Sequence, residues 1–263
     1  MHWTLRKRRP GRIRYKLPNW GQDLDLRRER RTLTRIQRIV AEIGTRWEPS
    51  LLFIHIPKTG GSSVTHCLKQ HGLVKLFTLR RILNFVKQYP GASPDILCLD
   101  HLDPRVLVTT GLMTPEAFVE TKKFAVVRNP YRRIVSSFFH HIETRRIPKS
   151  MSFKSYIQLV TGHTWRIDLS TGYGLAHANP ARMWLGRSPR LENIDVFTIE
   201  DSWQIEQYLS DFLNQDVVLP HRNSRSSPRL EFPSASILEK FNQQRREDFE
   251  YGSYAMMDWA RSN

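Results

Sequence analysis

The stretch LLFIHIPKTGGSSVTHCL, residues 51–68, decides the fold of this chain. Residues 51–56 form an apolar run rich in β-forming side chains, which predicts a buried strand because the run is too short for a typical helix. The small residues of 57–63 form a turn with one lysine, and a helix is predicted from Val64 onward. A strand, a turn and a helix in this order bring orphan backbone N–H groups to the positive end of a helix dipole. The turn is therefore predicted to bind anionic oxygens.

The composition of the turn supports this prediction. PKTGGSS contains two adjacent glycines, three hydroxyl side chains and Lys58. An ordinary strand-to-helix connection is the alternative interpretation, but such a connection needs neither the lysine nor the hydroxyls. The turn is not a Walker A motif, because the Walker lysine follows the glycines whereas Lys58 precedes them. We therefore predict a P-loop-like, phosphate-binding strand–loop–helix.

Three further short apolar runs alternate with helical patterns along the chain. They predict strands at 96–99, 124–127 and 196–199. This alternation is typical of an α/β fold with a central parallel sheet flanked by helices. Thr114, followed by Pro115, is predicted to start a helix as its N-cap. Other helices are predicted over 24–43, 76–86, 134–143, 153–160, 181–185, 203–212 and 234–249.

Charged or titratable residues follow three of the predicted strands. Lys58 follows the first strand, His101 the second and Arg128 the third. In open parallel sheets, ligands bind outside the carboxyl ends of the strands. These three residues are therefore predicted to share one site.

The net charge points to anionic partners. The 263 residues carry a formal charge of +16, and the pI is about 10.3. Nucleotides, sulfated or phosphorylated polymers, nucleic acid and acidic membrane surfaces all fit such a balance. Residues 1–50 hold 14 basic and 5 acidic residues, a net charge of +9. We predict that residues 1–22 form a basic arm, either a solubilising tail or a polyanion-binding segment.

Several protein classes are disfavoured by the sequence. No run reaches the 18 apolar residues of a transmembrane helix, and the N-terminus lacks the apolar stretch of a secretory signal, so a cytoplasmic protein is expected. Cys67 and Cys98 are too few for a disulfide framework. The histidines show no His-x-x-x-His or Cys/His spacing, so no metal is expected.

The segments FIHIPKTGGSS (53–63) and FAVVRNPYRRIVSSF (124–138) resemble the two cofactor-binding motifs of sulfotransferases. These enzymes use 3′-phosphoadenosine 5′-phosphosulfate (PAPS), and the group that includes heparan sulfate 2-O-sulfotransferase and related carbohydrate sulfotransferases is the most similar. His101 after its strand, the acidic Glu200 at the end of another, and LPHRNSR (219–225) continue the resemblance. It implies a single sulfotransferase domain over residues 23–263.

The resemblance also implies which residues bind PAPS. Arg128 and Ser136 would bind the 3′-phosphate, and arginine suits this role because its guanidinium can donate twice to a phosphate. His221 and Asn223 are weaker candidates for cofactor binding. The first loop would hold the 5′ end through backbone, hydroxyl and ammonium donors of Lys58, Thr59, Gly60, Gly61, Ser62 and Ser63.

In-line sulfuryl transfer needs charge stabilisation on the leaving oxygen and a base for the acceptor hydroxyl. Lys58 is placed for the first role, and the resemblance implies His101 for the second. Asp100 or Asp103 is expected to orient the ring of His101. His55 is expected to pack or hydrogen-bond in the core. His140 and His141 compete with His101, because they follow the second motif and could face the acceptor.

The predicted function is sulfuryl transfer from PAPS to a hydroxyl, with an anionic glycan as the favoured acceptor. The segments 145–149 and 162–173 are its predicted contacts, and no nucleic acid partner is expected. A lipid, a small alcohol, a phenol or a peptide tyrosine would leave the same motifs. A nucleotide-dependent kinase is an alternative, disfavoured because no Ser/Thr follows a Gly-Lys pair. A non-catalytic polyanion-binding protein is the other alternative.

Overall fold

A computed structural model describes residues 30–162, 175–186, 193–220 and 232–258, together with the backbone of 24–25 and 167–168. Its strands are β1 (Leu24–Asp25), β2 (Leu51–His55), β3 (Val74–Leu76), β4 (Ile96–Asp100), β5 (Lys123–Val127), β6 (Ile167–Asp168) and β7 (Ile194–Thr198). Five of them form a central sheet in the order β3-β4-β2-β5-β7, and every pairing in that sheet is parallel, as predicted. The strands β1 and β6 form a separate parallel pair.

Helices connect the strands and cover the sheet. Within the described residues, no helix combines the length and the apolar character needed to cross a membrane. The helices are α1 (Arg30–Ile43), α2 (Gly61–Lys69), α3 (Leu79–Gln88), α4 (Val106–Thr109), α5 (Pro115–Glu120), α6 (Pro130–Glu143), α7 (Phe153–Gly162), α8 (Arg182–Leu185), α9 (Ser202–Leu213), α10 (Ala235–Gln244) and α11 (Arg246–Tyr251).

The central strands are buried on both faces, which explains their unbroken apolar runs. Successive side chains of a strand point to opposite faces. In β2, Leu52 and Ile54 pack into a core formed with α1, α3, α4 and α8. Leu51 and Phe53 face the other way and pack against α2 and α9. The alternation therefore fixes which helices cover each face of the sheet.

A third core joins the C-terminal helices to α6. Tyr131 of α6 stacks on Phe241 of α10, with ring centroids 5.6 Å apart, and lies 5.0 Å from the ring of Phe249 of α11. Phe138 and Tyr156 extend this cluster to α7. The helix that carries the second motif is thus held by the end of the chain.

The predicted helix over 24–43 is wrong at its start. The helix α1 begins at Arg30, whereas Leu24 and Asp25 pair in register with Ile167 and Asp168. The apolar spacing of this segment is helical, but the backbone of its first two residues bonds to a strand that lies far away in sequence. A local pattern cannot report such a pairing.

Two other predicted helices have incorrect bounds. The segment predicted from residue 76 begins its helix at Leu79, because Thr78 caps the first turn and Leu76 ends the short edge strand β3. The helix predicted over 234–249 is divided into α10 and α11. They meet at Arg245, whose φ of −120° leaves the helical region.

Smaller differences concern a helix start and the segment 162–173. The helix α6 begins at Pro130 rather than 134, because Asn129 caps it. In the segment 162–173, which is predicted to contact the acceptor, Gly162 ends α7 and 167–168 form β6. The rest of that segment lies outside the described residues, as does the predicted arm, 1–22. Thr114 caps α5, with Pro115 at its first position, which confirms the predicted start.

Candidate active site

The turn between β2 and α2 has an unusual backbone. Lys58 and Gly60 both have left-handed φ angles, of 67° and 87°. The buried Thr59 closes the turn from inside, because its Oγ1 donates to the carbonyl of Ile56 at 2.9 Å. The helix α2 then begins at Gly61, and the N–H groups at the start of a helix lack intrahelical acceptors. The turn therefore presents backbone donors next to the lysine.

The two glycines of this turn have no room for a side chain. A Cβ on Gly61 would lie 2.0 Å from Cδ2 of His55, and a Cβ on Gly60 would lie 2.7 Å from Cδ1 of Ile199. His55 itself is buried, and its ring stacks on Phe53. The first turn of α2 thus lies directly on the ring of His55.

Asp100, at the end of β4, is the centre of a polar group. It pairs in register with His55 on β2, and Nδ1 of His55 contacts its Oδ1. Nε2 of His101 lies 3.4 Å from the same oxygen, and Nζ of Lys75 lies 3.0 Å from Oδ2. His101 has a left-handed φ of 65°, and its carbonyl accepts a hydrogen bond from Nε1 of Trp184 at 2.9 Å. The ring of His101 is therefore fixed beside the carboxylate.

Asp103, the other predicted partner of His101, has a different role. It is fully buried and pairs with Arg105, which also donates to the carbonyl of Met183 at 2.9 Å. Of the two predicted carboxylates, the structure places Asp100 beside His101.

The protonation states follow from burial and from neighbouring charges. Burial lowers the pKa of His101 to about 3, although the Asp100 carboxylate opposes this shift. Desolvation raises the pKa of Asp100, but the hydrogen bond with His55 and the electrostatic attraction of its basic neighbours His101, His55 and Lys75 outweigh it and hold that pKa well below its usual range. At neutral pH the ring of His101 is neutral and faces an ionised carboxylate.

Further histidines continue from His101. The ring centroid of His177 lies 4.9 Å from that of His101 and 4.3 Å from that of His140, and His141 lies 5.8 Å from His177. Burial lowers the pKa of His177 and of His140, and the positive charge of Lys58 adds to both shifts. Lys58 is therefore close enough to these imidazoles to influence their pKa values.

His177 is a site residue that the sequence analysis missed. It lies on the short 3-10 turn Ala176–Ala178, where no periodicity or motif marks it. The carbonyl of His177 accepts a hydrogen bond from Oγ of Ser137 at 2.8 Å. A contact between α6 and a distant turn brings it to the site, and no local signal could have identified it.

Arg128 lies at the carboxyl end of β5, as predicted. Burial lowers the pKa of its guanidinium, and the nearby carboxylate of Glu200 opposes that shift. Oε1 of Glu200 accepts from the N–H of Asn129 at 3.2 Å, and its Oε2 accepts from the hydroxyl of Tyr254 at 2.6 Å. Glu200 lies in the turn after β7, so it connects the ends of two strands to the C-terminal segment.

The helix α6 links the two motifs. Ser136 is half-buried on this helix, eight residues after Arg128. Nε of the buried Arg133 donates to the carbonyl of Pro57 in the β2–α2 turn at 2.9 Å. The second motif therefore supports the backbone of the first.

Asp248 of α11 holds several of these segments together. Its Oδ2 lies 3.4 Å from Nη1 of Arg133 and accepts from the N–H of Ala181 at 2.8 Å, and its Oδ1 accepts from the N–H of Arg182 at 3.1 Å. The buried Arg245 donates to the carbonyl of Ala178 at 2.8 Å. The end of the chain thus fixes both the turn that carries His177 and the helix that supports Lys58.

Most of the predicted site residues lie at one edge of the central sheet. The turn at 58–63, His101 and Arg128 lie at the carboxyl ends of β2, β4 and β5, and β2 lies between the other two strands. His221 and Asn223 lie outside the described residues.

This chain is similar to known sulfotransferases. Among solved structures, a sulfotransferase from Alicyclobacillus acidocaldarius is similar at 14% identity and a TM-score of 0.46, over 77% of this chain and 93% of that chain. The mouse sulfotransferase SULT7A1, complexed with PAP, is similar at 16% identity and a TM-score of 0.44, over 69% of this chain and 65% of that chain. No curated protein sequence matches. The sequence profile of the sulfotransferase family matches residues 45–244, which include the whole central sheet and both motifs, so this chain belongs to the sulfotransferase family.

Proposed function

We propose that the protein transfers a sulfuryl group from PAPS to a carbohydrate hydroxyl, with His101 as the base. One observation carries the proposal. Lys58, His101 and Arg128 follow three neighbouring parallel strands at their carboxyl ends, where such sheets bind ligands. An ammonium, a neutral imidazole and a guanidinium at one edge suit the binding of a doubly anionic nucleotide and the removal of a proton.

The β2–α2 turn fits the anionic 5′ end of PAPS. The N–H groups of Gly61 and Ser62 open the helix α2, and Lys58 adds an ammonium. Thr59 contributes only its N–H as a donor, because its hydroxyl donates to the carbonyl of Ile56. The N–H of Ser63 is directed to the carbonyl of Gly60, so Ser63 contributes at most its side chain.

The second motif fits the 3′-phosphate. Arg128 is half-buried, which strengthens its attraction for a phosphate because water screens the charge less. Glu200 holds the neighbouring backbone through the N–H of Asn129 and keeps a negative charge near the guanidinium. Ser136 lies about two helical turns further along α6 and offers a hydroxyl to the same phosphate.

The protein groups then have distinct tasks in an in-line displacement. Bound PAPS supplies the sulfuryl group that the acceptor oxygen attacks, and 3′-phosphoadenosine 5′-phosphate (PAP) is the other product. His101 accepts the hydroxyl proton as the new S–O bond forms, and the ionised Asp100 stabilises the resulting imidazolium. Lys58 donates to the bridging oxygen as negative charge develops there.

The basic segment after α6 supports an anionic glycan as the acceptor. It lines a cavity of about 460 Å³ through Ile142, Arg145, Arg146, Ile147, Pro148 and Lys149. The N–H groups of Arg146 and Ile147, two of the lining residues, point to the carbonyl of His141 at 2.7 and 3.3 Å. The cavity therefore adjoins the end of α6 that carries His140 and His141.

A transfer assay with labelled PAPS and a panel of anionic and neutral glycans tests the proposal. His101→Ala should lose transfer by at least about a hundredfold, because general base catalysis typically contributes that much or more. Its affinity for PAP, measured by calorimetry, should stay unchanged. His66→Ala is the control, since His66 is an exposed histidine on α2. Full activity in His101→Ala would contradict the assignment of the base.

Two substitutions distinguish the proposed enzyme from a non-catalytic polyanion-binding protein. Such a protein would bind heparin with a steep salt dependence and would be indifferent to Lys58→Ala and His101→Ala. Transfer that both substitutions abolish would exclude it.

A further inference from the structure

We propose that His55, Asp100 and His101 bind a zinc ion, and that the bound zinc inhibits transfer. The ligand-capable atoms of these three residues lie within 4.8 Å of one another. Two imidazole nitrogens and one carboxylate oxygen form a donor set that zinc accepts in proteins. The ion would act as an inhibitor at this place rather than as a cofactor, because a His101 ring that gives one nitrogen to zinc carries its proton on the other and has no lone pair left for the proton of the acceptor.

The strand register holds the three ligands in place. His55 and Asp100 are partners across β2 and β4, and His101 is the next residue. The N–H of His101 donates to the carbonyl of His55 at 3.1 Å, while Trp184 holds the carbonyl of His101. The three ligands therefore lie on, or directly after, two paired strands, so little backbone would have to become ordered when zinc binds.

The distances suit a tetrahedral ion after one small change. Zinc ligands at about 2.1 Å from the metal lie about 3.4 Å from one another in a tetrahedron. Nε2 of His101 is already 3.4 Å from Oδ1 of Asp100. Nδ1 of His55 contacts that oxygen, so zinc would replace the hydrogen between them and separate the two atoms. That proton would leave to solvent, as metal binding to a protonated ligand set requires.

A water molecule would complete the coordination, since zinc sites with three protein ligands take water in the fourth position. The ring of His177 lies 4.9 Å from that of His101, but His177 is not one of the three ligands.

Lys75 sets the affinity of the proposed site. Its ammonium is 3.0 Å from Oδ2 of Asp100, the oxygen that the histidines leave free. Lys75 therefore repels a dication at Oδ1 while it neutralises the carboxylate. The loss of this exposed lysine should therefore strengthen zinc binding, whereas the loss of a ligand should weaken it.

The first experiment is a calorimetric titration of metal-free protein without a histidine tag, in the absence of nucleotide. Zinc should bind, and magnesium, which prefers oxygen ligands, should not. His55→Gln and Asp100→Asn should weaken zinc binding by at least about tenfold, the minimum reported even for the loss of an outer-shell partner. His66→Gln should bind as the native protein does. Unchanged affinity in both ligand variants would overturn the site.

The second experiment avoids buried positions. Lys75→Gln should tighten zinc binding by about tenfold, because a repulsive charge next to the carboxylate is removed. Lys69→Gln, which changes another exposed lysine, should leave the affinity unchanged. Equal affinities in the two variants would contradict a site at Asp100.

The third experiment measures inhibition and rests on the proposed function. Zinc should inhibit transfer, EDTA should restore it, and Lys75→Gln should be inhibited at a lower zinc concentration than the native enzyme. Zinc that binds without inhibiting an active enzyme would overturn the inhibitory role. A metal-free protein with no transferase activity would count against the proposed function, and the titrations would still decide the zinc site.

Discussion

Gly61 has a strict size limit because the ring of His55 lies directly beneath it. We predict that Gly61→Ala lowers the free energy of unfolding by about 1–3 kcal/mol, the usual cost of an added methyl group in a packed interior. It should also reduce transfer, since the displaced ring loses its contact with Asp100. Urea denaturation and the transfer assay measure the two effects.

Gly162→Ala is the matched control, because a Cβ at Gly162 meets nothing within 4 Å. If Gly61→Ala and Gly162→Ala unfold at the same urea concentration, the turn is less tightly packed than described.

Arg128 is the residue on which nucleotide binding should depend most. Arg128→Ala should weaken PAP binding by about tenfold or more, since a hydrogen bond to a charged group contributes about 1.5–3 kcal/mol. Arg128→Lys should restore only part of the affinity, because an ammonium lacks the paired donors of a guanidinium. Calorimetry with PAP gives the comparison. Arg132→Ala, at an exposed position in the first turn of α6, should bind PAP normally, and equal losses in both alanine variants would contradict a specific role.

The sequence predicted residues whose position depends on a strand end. Lys58, His101 and Arg128 each follow an apolar run, and the rule for parallel sheets brings them together. The contact between His55 and Asp100 was not predictable, because it depends on the register between strands that are 45 residues apart in this pairing. His177 depends in the same way on a helix that packs against a remote turn.

At the scale of the element, the start of α6 should be coupled to the site. Oδ1 of Asn129 caps this helix by accepting from the N–H groups of Tyr131 and Arg132. Asn129→Ala should cost about 1 kcal/mol of stability, as the loss of an N-cap usually does. It should also weaken PAP binding, because the frayed first turn no longer fixes Arg128.

Thr114→Ala provides the comparison, since Thr114 caps α5 in the same manner. It should lower the melting temperature to a similar extent and leave PAP binding unchanged. A loss of PAP affinity in both variants would show that the effect is general destabilisation rather than a local effect at Arg128.

Elements with a strong local signal were predicted well. The strands β2, β4 and β5 were recognisable because each is an apolar run buried on both faces. The edge strand β3 was missed, since three residues are too few for a pattern. The break between α10 and α11 was missed because Arg245 looks helical in sequence, whereas its guanidinium is buried and donates to the carbonyl of Ala178.

At the scale of the whole molecule, the buried pair of Arg133 and Asp248 should be important for stability. Arg133→Met removes the cation that pairs with the buried carboxylate of Asp248 and should cost about 3–5 kcal/mol, the range for breaking a buried ion pair. The double variant Arg133→Met with Asp248→Asn should cost less than the sum of its single changes, because the two side chains interact. Urea denaturation of the three variants measures the coupling.

The exposed ion pair of Arg246 and Glu250 is the control for the stability cost of breaking the buried pair. Their side chains are 73% and 57% exposed, and Nε of Arg246 lies 3.0 Å from Oε1 of Glu250. Arg246→Ala should therefore cost no more than about 0.5 kcal/mol. Equal costs for Arg133→Met and Arg246→Ala would contradict the central role of the buried pair.

The sheet order has a consequence for how the protein acquires activity during synthesis. The strand β2 pairs with β4 and β5, and β5 pairs with β7, all of which are synthesised later than β2. The edge of the sheet that holds Lys58, His101 and Arg128 is therefore complete only after Thr198 has been synthesised. Parallel pairings between distant segments form slowly. Asp248 pairs with Arg133, which supports the turn of Lys58. Asp248 leaves the ribosome later still. A nascent chain of this enzyme should thus stay inactive until α11, which carries Asp248, has emerged from the ribosome.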